Sequence, residues 1–241
     1  MEIYKKQILG LWDIQVRRLV IMSMERTVDI TCPDCGKTSD FVIWQSINTQ
    51  IDPEMKQAVR DRSAFLFTCP HCGNKHNVDY GFLYHQMEDR IMIHYATSDE
   101  EAQDVCKMYS SNAGIDPMLV NLRAENYMIR IVRSQNQLLE KLAIIDAGLD
   151  DRLVELYKLF LLADMLKDKP ELNGAEILEY NADGKHYLDI SSGHKHIGYA
   201  ELSMETYQLL VDRFSAKLPD RRAQKPFVDR KWALEFLESH K

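Results

Sequence analysis

Two nearly identical pentapeptides constrain this chain more than any other feature: Cys32-Pro33-Asp34-Cys35-Gly36 and Cys69-Pro70-His71-Cys72-Gly73. A C-x-x-C pair closes too tight a loop for an ordinary structural disulfide, which leaves metal or redox chemistry. A metal knuckle needs two thiolates converging from one tight turn. Proline sets φ for that turn, and glycine after the second cysteine admits the positive φ that doubles the chain back. Two knuckles supply four thiolates, the closed tetrahedral shell of a structural zinc. The expectation is one Zn2+ per chain, held by Cys32, Cys35, Cys69 and Cys72.

Redox catalysis is the rival reading of the same residues. Cys-Pro-His-Cys also serves as an active-site sequence in disulfide oxidoreductases of the thioredoxin class, where the first cysteine opens a long helix whose dipole lowers the thiol pKa. Here Gly73-Asn74-Lys75-His76-Asn77-Val78-Asp79-Tyr80-Gly81 follows, which reads as a turn leading into a strand. The second pentapeptide would also go unexplained. The fifth cysteine, Cys106, falls on an expected short helix over Glu100–Tyr109 and reads as a small buried hydrophobe.

The chain's 241 residues have room for one large domain or two small ones. A net charge of −7 argues against a polybasic membrane binder or a nucleic-acid coat. No apolar run approaches the ~18–20 residues that cross a bilayer, and a cytoplasmic chain is expected. Many zinc-binding β domains contact nucleic acid, so local charge matters. Residues 25–100 hold twelve acidic side chains against seven basic ones, whereas phosphate binding wants a Lys/Arg face. The one basic concentration is Lys217–Lys231, with Arg221, Arg222, Lys225 and Arg230. It reads as a solvated linker, although a nucleic-acid-associated ribbon would use it.

The expected organisation is α+β: a zinc-ribbon-like β domain followed by a helical and β-meander domain. Residues 1–24 mix charges into apolar residues without a clean stripe and are expected to form a poorly docked leader. Residues 25–133 form the metal-binding domain. Strands are expected over Thr27–Thr31, Phe41–Ile47 and Ala64–Thr68, a short helix over Pro53–Arg60, and a hairpin of Val78–His85 with Arg90–Tyr95. Tyr127–Arg133 is expected to close the sheet, with a helix as the alternative. Residues 134–241 change character. A capping box at Ser134 opens a helix that Gly148 stops, and Asp150 caps a central helix over Asp151–Leu166. A meander over Glu176–Leu202 follows, then helices capped by Ser203 and Asp229.

These residues resemble a family. The two C-P-x-C-G knuckles, the intervening Phe41-Val42-Ile43-Trp44, Ile47-Asn48 and Asp52-Pro53-Glu54, and the following Tyr84 and Ile91-Met92-Ile93-His94-Tyr95 are similar to the CpXC-domain proteins of bacteria and archaea. Arg130-Ile131-Val132-Arg133-Ser134, Leu139-Glu140-Lys141 and Asp146-Ala147-Gly148-Leu149-Asp150-Asp151-Arg152 look like that family's usual continuation. The resemblance covers residues 27–160. It implies a zinc-binding domain and maps only Cys32, Cys35, Cys69 and Cys72 onto a functional motif, with no substrate and no catalytic residue.

Other candidates have plainer explanations. His71 and His76 could each replace a thiolate, but with four cysteines present they read as solvent-facing turn residues. His194 and His196, with His186 nearby, could make a second metal site, but no fixed carboxylate or cysteine accompanies them in the sequence. Ser191-Ser192-Gly193-His194 lacks the G-x-S-x-G elbow. Asp150-Asp151 fits helix capping and the dipole. The leading expectation is a non-enzymatic scaffold or protein-interaction module with a protein partner and no catalytic residue. A nucleic-acid-associated zinc ribbon and a metal- or thiol-dependent enzyme are the alternatives.

Overall fold

The computed structural model describes residues 22–110, 126–220 and 226–240. The fold is mixed α+β and divides into two compact units, Met1–Gln135 and Asn136–Lys241. No helix among the described residues is long and apolar enough to cross a membrane.

The first unit is built on a five-stranded sheet of β1 (Met24–Thr31), β2 (Thr38–Asn48), β5 (Phe82–Gln86), β6 (Ile91–Tyr95) and β7 (Met128–Val132), in that order. β1 and β2 form an antiparallel hairpin whose register ends at Thr31 opposite Thr38. Only the far end of β2, Ser46–Asn48, joins the sheet, running parallel to β5. The side chains record this change: the first half of β2 is mostly exposed, and the last three residues are buried. The hairpin's near half thus runs beyond the β2–β5 pairing and is more exposed than its far end. A second, separate hairpin pairs β3 (Leu66–Thr68) with β4 (Lys75–Asn77). Each hairpin carries one C-P-x-C-G pentapeptide at its tip. The described residues of the unit also hold two α-helices, α1 (Glu54–Arg60) and α2 (Asp99–Ser110).

Three local expectations shift. The leader does not extend to residue 24: Met24 pairs with Ser46 at the start of β1, and Ser46 Oγ donates to the Met22 carbonyl at 2.7 Å. Residues 1–21 lie outside the described residues. Ala64–Thr68 is not one strand, because Arg62 takes a left-handed φ of 68° and a 3-10 turn over Ser63–Phe65 tucks the Phe65 ring against Tyr80 and Phe82. Val78–His85 is also interrupted. The chain leaves the β3–β4 hairpin after Asn77 and joins the main sheet at Phe82. Gly81 makes that passage, where a Cβ would sit 2.9 Å from the Tyr95 carbonyl oxygen. Val78 to Tyr80 alternate as a strand would, but they cross between sheets.

The second unit has α3 (Gln135–Asp146), α4 (Asp151–Asp168), a meander of β8 (Glu176–Ala182), β9 (Lys185–Ser192) and β10 (Lys195–Glu201), then α5 (Met204–Phe214) and α6 (Arg230–Ser239). Its helix starts follow local chemistry. Asp150, Ser203 and Asp229 each accept a backbone N–H of the first turn, from Arg152, Thr206 and Trp232 respectively. Gly148, at φ 69°, ends α3. Val154, Leu156, Leu188, Leu210, Trp232 and Phe236 belong to one continuous core. α4 is buried all round only over Asp151–Leu156; beyond that Leu162 stays in the core while Phe160 is 42% exposed, so the expected central, buried helix has an open outer face.

That buried first half also carries charge. Lys158 Nζ lies 2.9 Å from Glu140 and 2.7 Å from Glu155, and Lys141 Nζ lies 3.3 Å from both Asp151 and Glu155. Burial would discharge Lys158, but Glu140 and Glu155 outweigh it and hold its pKa above the ordinary value. Removing one partner strands the others. Lys158→Met is therefore expected to cost about 3–5 kcal/mol, read as a fall in denaturant midpoint. A loss below about 1 kcal/mol, the scale of solvated pairs, would show that the network is not desolvated.

In the first unit, His94 Nε2 lies 2.8 Å from the Tyr109 hydroxyl, beside a cavity of about 330 Å³ between the sheet and α2. Burial, with His85 nearby, lowers the His94 pKa to about 4. Between an unfolded value of about 6.5 and that value, the unfolded chain takes up a proton that the native chain refuses. Stability from this group is full above about pH 6.5 and falls as pH drops toward 4, by on the order of 3 kcal/mol. The difference in unfolding free energy between wild type and His94→Gln should change across that window. A constant difference would contradict the shift.

Candidate metal centre

The two knuckles fold alike because they have the same backbone requirements. In the first, Cys32 N–H donates to the Lys37 carbonyl and Gly36 N–H to the Cys32 carbonyl, each at 2.9 Å. In the second, Cys69 N–H donates to Asn74 and Gly73 N–H to Cys69, again at 2.9 Å. Gly36 and Gly73 take φ values of 69° and 77°. A Cβ at either would meet nothing within 4 Å, so the turn demands glycine through its backbone and not through crowding.

The hairpin tips bring the four sulfurs together. Cys32 Sγ lies 3.7 Å from Cys72 Sγ, and Cys35 Sγ lies 3.7 Å from Cys69 Sγ. All four lie within 4.8 Å of one another, one inner and one outer cysteine coming from each knuckle. Zinc–sulfur bonds of about 2.3 Å in a tetrahedron imply sulfur–sulfur edges of about 3.8 Å. The spacing therefore fits a single four-coordinate ion, and the four cysteines could hold a metal.

Proton sharing within the cluster points the same way. Burial would raise the Cys69 thiol, but the backbone N–H groups of His71 and Cys72, with the thiols of Cys72 and Cys35, outweigh it and lower it to about 6. At Cys72 the Asn74 N–H pulls downward, yet burial and the three other sulfurs push the thiol up to about 12. Cys35 is raised as well: the Lys37 N–H lowers it, and burial with the sulfurs of Cys69 and Cys32 prevails. One thiolate forms readily and then opposes the next. A cation at the centre removes that opposition.

Beneath the sulfurs the packing is thin. Cys32, Phe67 and Cys69 are buried, with Ile30, Phe41 and Val78 packed partly against them. Phe41 and Phe67 meet edge to face at 5.8 Å.

His76 departs from its expected role. It does not face solvent in a turn; it stands half-buried on β4, opposite Phe67, with Nε2 3.6 Å from Cys32 Sγ and 3.0 Å from Asp34 Oδ2. The signal was its strand alternation, since Lys75 and Asn77 point outward on either side. His71 is exposed, and Cys106 is half-buried on α2 with its thiol raised by burial. In the meander, two histidines do have carboxylate neighbours, but different ones: His186 lies 2.7 Å from Glu179 and His196 lies 2.9 Å from Asp189. They form no joint cluster among the described residues.

The glycine requirement is open to measurement. Forcing a Cβ into left-handed backbone costs about 1–2 kcal/mol, roughly a tenfold change in an equilibrium constant. Gly73→Ala is therefore expected to weaken metal retention about tenfold in a chelator competition. Unchanged retention would show that the second turn does not preorganise its thiolates.

Comparison with known proteins adds one result. The family model for the CpXC protein matches residues 30–158. No curated protein and no solved structure matches the chain. The match takes in both knuckles, runs on into α4 and covers more than half of the sequence, so the chain belongs to the CpXC protein family.

Proposed function

We propose that this protein is a structural-zinc protein in which Cys32, Cys35, Cys69 and Cys72 hold one Zn2+ per chain in a closed four-thiolate shell. The convergence of four sulfurs at the tips of two hairpins, over a small apolar cluster, carries this reading. The arrangement is zinc-ribbon-like: two knuckles, each in its own hairpin, face one another across the ion. A catalytic zinc keeps a position for water or substrate. Here four preorganised thiolates fill the shell, and their charge weakens the ion as a Lewis acid. The zinc supplies cross-linking, and the domain it fixes serves as a non-enzymatic scaffold for a protein partner in the cytoplasm.

The described part of the basic segment does not favour nucleic acid. Arg230 spends its guanidinium on the carbonyls of Asn173 and Ala175, and Lys217 Nζ lies 5.9 Å from the Phe214 ring centroid. Arg221, Arg222 and Lys225 lie outside the described residues. Retention of the protein on heparin at physiological salt would bring the nucleic-acid reading forward.

Protein purified under reducing conditions without chelator is expected to contain one zinc per chain by elemental analysis. Cobalt substitution should give the spectrum of tetrahedral four-thiolate coordination, unchanged by azide or cyanide. Absence of metal would sink the proposal. A spectrum that responds to either anion would reveal an open position and move an enzyme reading ahead of the scaffold.

A further inference from the structure

The atom that distinguishes this centre from a bare four-cysteine site is Nε2 of His76. Two groups approach it, the Asp34 carboxylate at 3.0 Å and Cys32 Sγ at 3.6 Å. A carboxylate and a thiolate both accept hydrogen bonds, so Nε2 must carry the proton. Asp34 Oδ2 also accepts from Asn74 Nδ2 at 2.6 Å. Asp34 belongs to the first knuckle, and Asn74 and His76 follow the second. The three polar side chains thus tie one hairpin tip to the other beside the sulfurs. His76 does not join the group in which all four sulfurs lie together; it groups with Cys32 and Asp34 alone. That places it outside the shell.

We propose that His76 is an outer-sphere donor to the metal-bound Cys32 thiolate and that it suppresses the nucleophilicity of that one sulfur. The inference rests on the four-thiolate reading above. An ion bound by four thiolates leaves the site with excess negative charge, and its sulfurs remain nucleophilic toward electrophiles. An N–H donor withdraws charge from the sulfur it faces, and such outer-shell partners typically change metal-site properties 10–100-fold. The sulfurs are then graded. Cys69 is buried and receives backbone N–H groups from its own turn, Cys35 and Cys72 are exposed, and Cys32 is buried with the added imidazole donor.

The test is site-resolved alkylation of the zinc-loaded full chain by iodoacetamide, with peptide mass mapping and zinc analysis of the same samples. His76→Phe removes the donor, and His76→Gln keeps an N–H that can reach the sulfur. Alkylation of Cys32, measured relative to Cys69, should accelerate about tenfold in His76→Phe and stay close to wild type in His76→Gln. Should His76→Phe fail to fold, His76→Ala carries the same expectation. Wild type that holds no zinc would overturn the four-thiolate reading itself. Zinc-loaded variants with an unchanged Cys32-to-Cys69 ratio would overturn only the role of His76. Loss of zinc from both the Phe and Gln variants would make His76 a ligand, and would overturn its outer-sphere role.

Discussion

The convergence of four sulfurs on one point is the constraint on which the candidate site of the first unit depends. The backbone turns place the sulfurs 3.7 Å apart in two cross-knuckle pairs, a distance at which full ionisation is unfavourable without a cation. Cys69 gives up its proton readily and Cys72 holds its own. The same geometry that is strained for four free thiolates is right for one tetrahedral ion. The four sulfurs could thus hold one metal ion, above a small apolar patch around Phe67.

The second unit is held together differently. Its core is continuous from α4 through the meander to α5 and α6, and needs no cross-link. What is unusual there is the buried ionic layer on α3 and α4, where two lysines sit among three carboxylates. Such layers rarely add stability over apolar packing, but breaking them is costly, and they disfavour alternative packings that would leave a charge unpaired. The two units therefore use opposite electrostatic solutions. One gathers sulfurs around a site that an ion could occupy; the other pairs unlike charges within protein.

Much of this was legible in the sequence, and the reasons are local. The knuckles were readable because proline, glycine and cysteine each have one conformational or chemical use at that spacing. Asp150, Ser203 and Asp229 were readable as caps because the bond each accepts lies within its own first turn. What lay beyond reach depends on distant partners. The parallel pairing of β2 with β5 joins residues that no turn connects directly. Val78–Tyr80 kept a strand's alternation while passing between sheets. His76 resembled a turn residue until the β3–β4 register set it beside Cys32. Glu140 and Lys158 look like ordinary helix-surface charges in sequence, and only packing from α3 and the meander buries them.

The central claim is that one ion is held by Cys32, Cys35, Cys69 and Cys72 and by nothing else. X-ray absorption at the metal edge of the purified protein tests it most directly, because it reads the ligand atoms themselves. The account predicts zinc with four sulfur neighbours at about 2.3 Å and no nitrogen or oxygen in the shell. Fewer than four sulfurs, or a nitrogen or oxygen neighbour at about 2.0–2.2 Å, would contradict it.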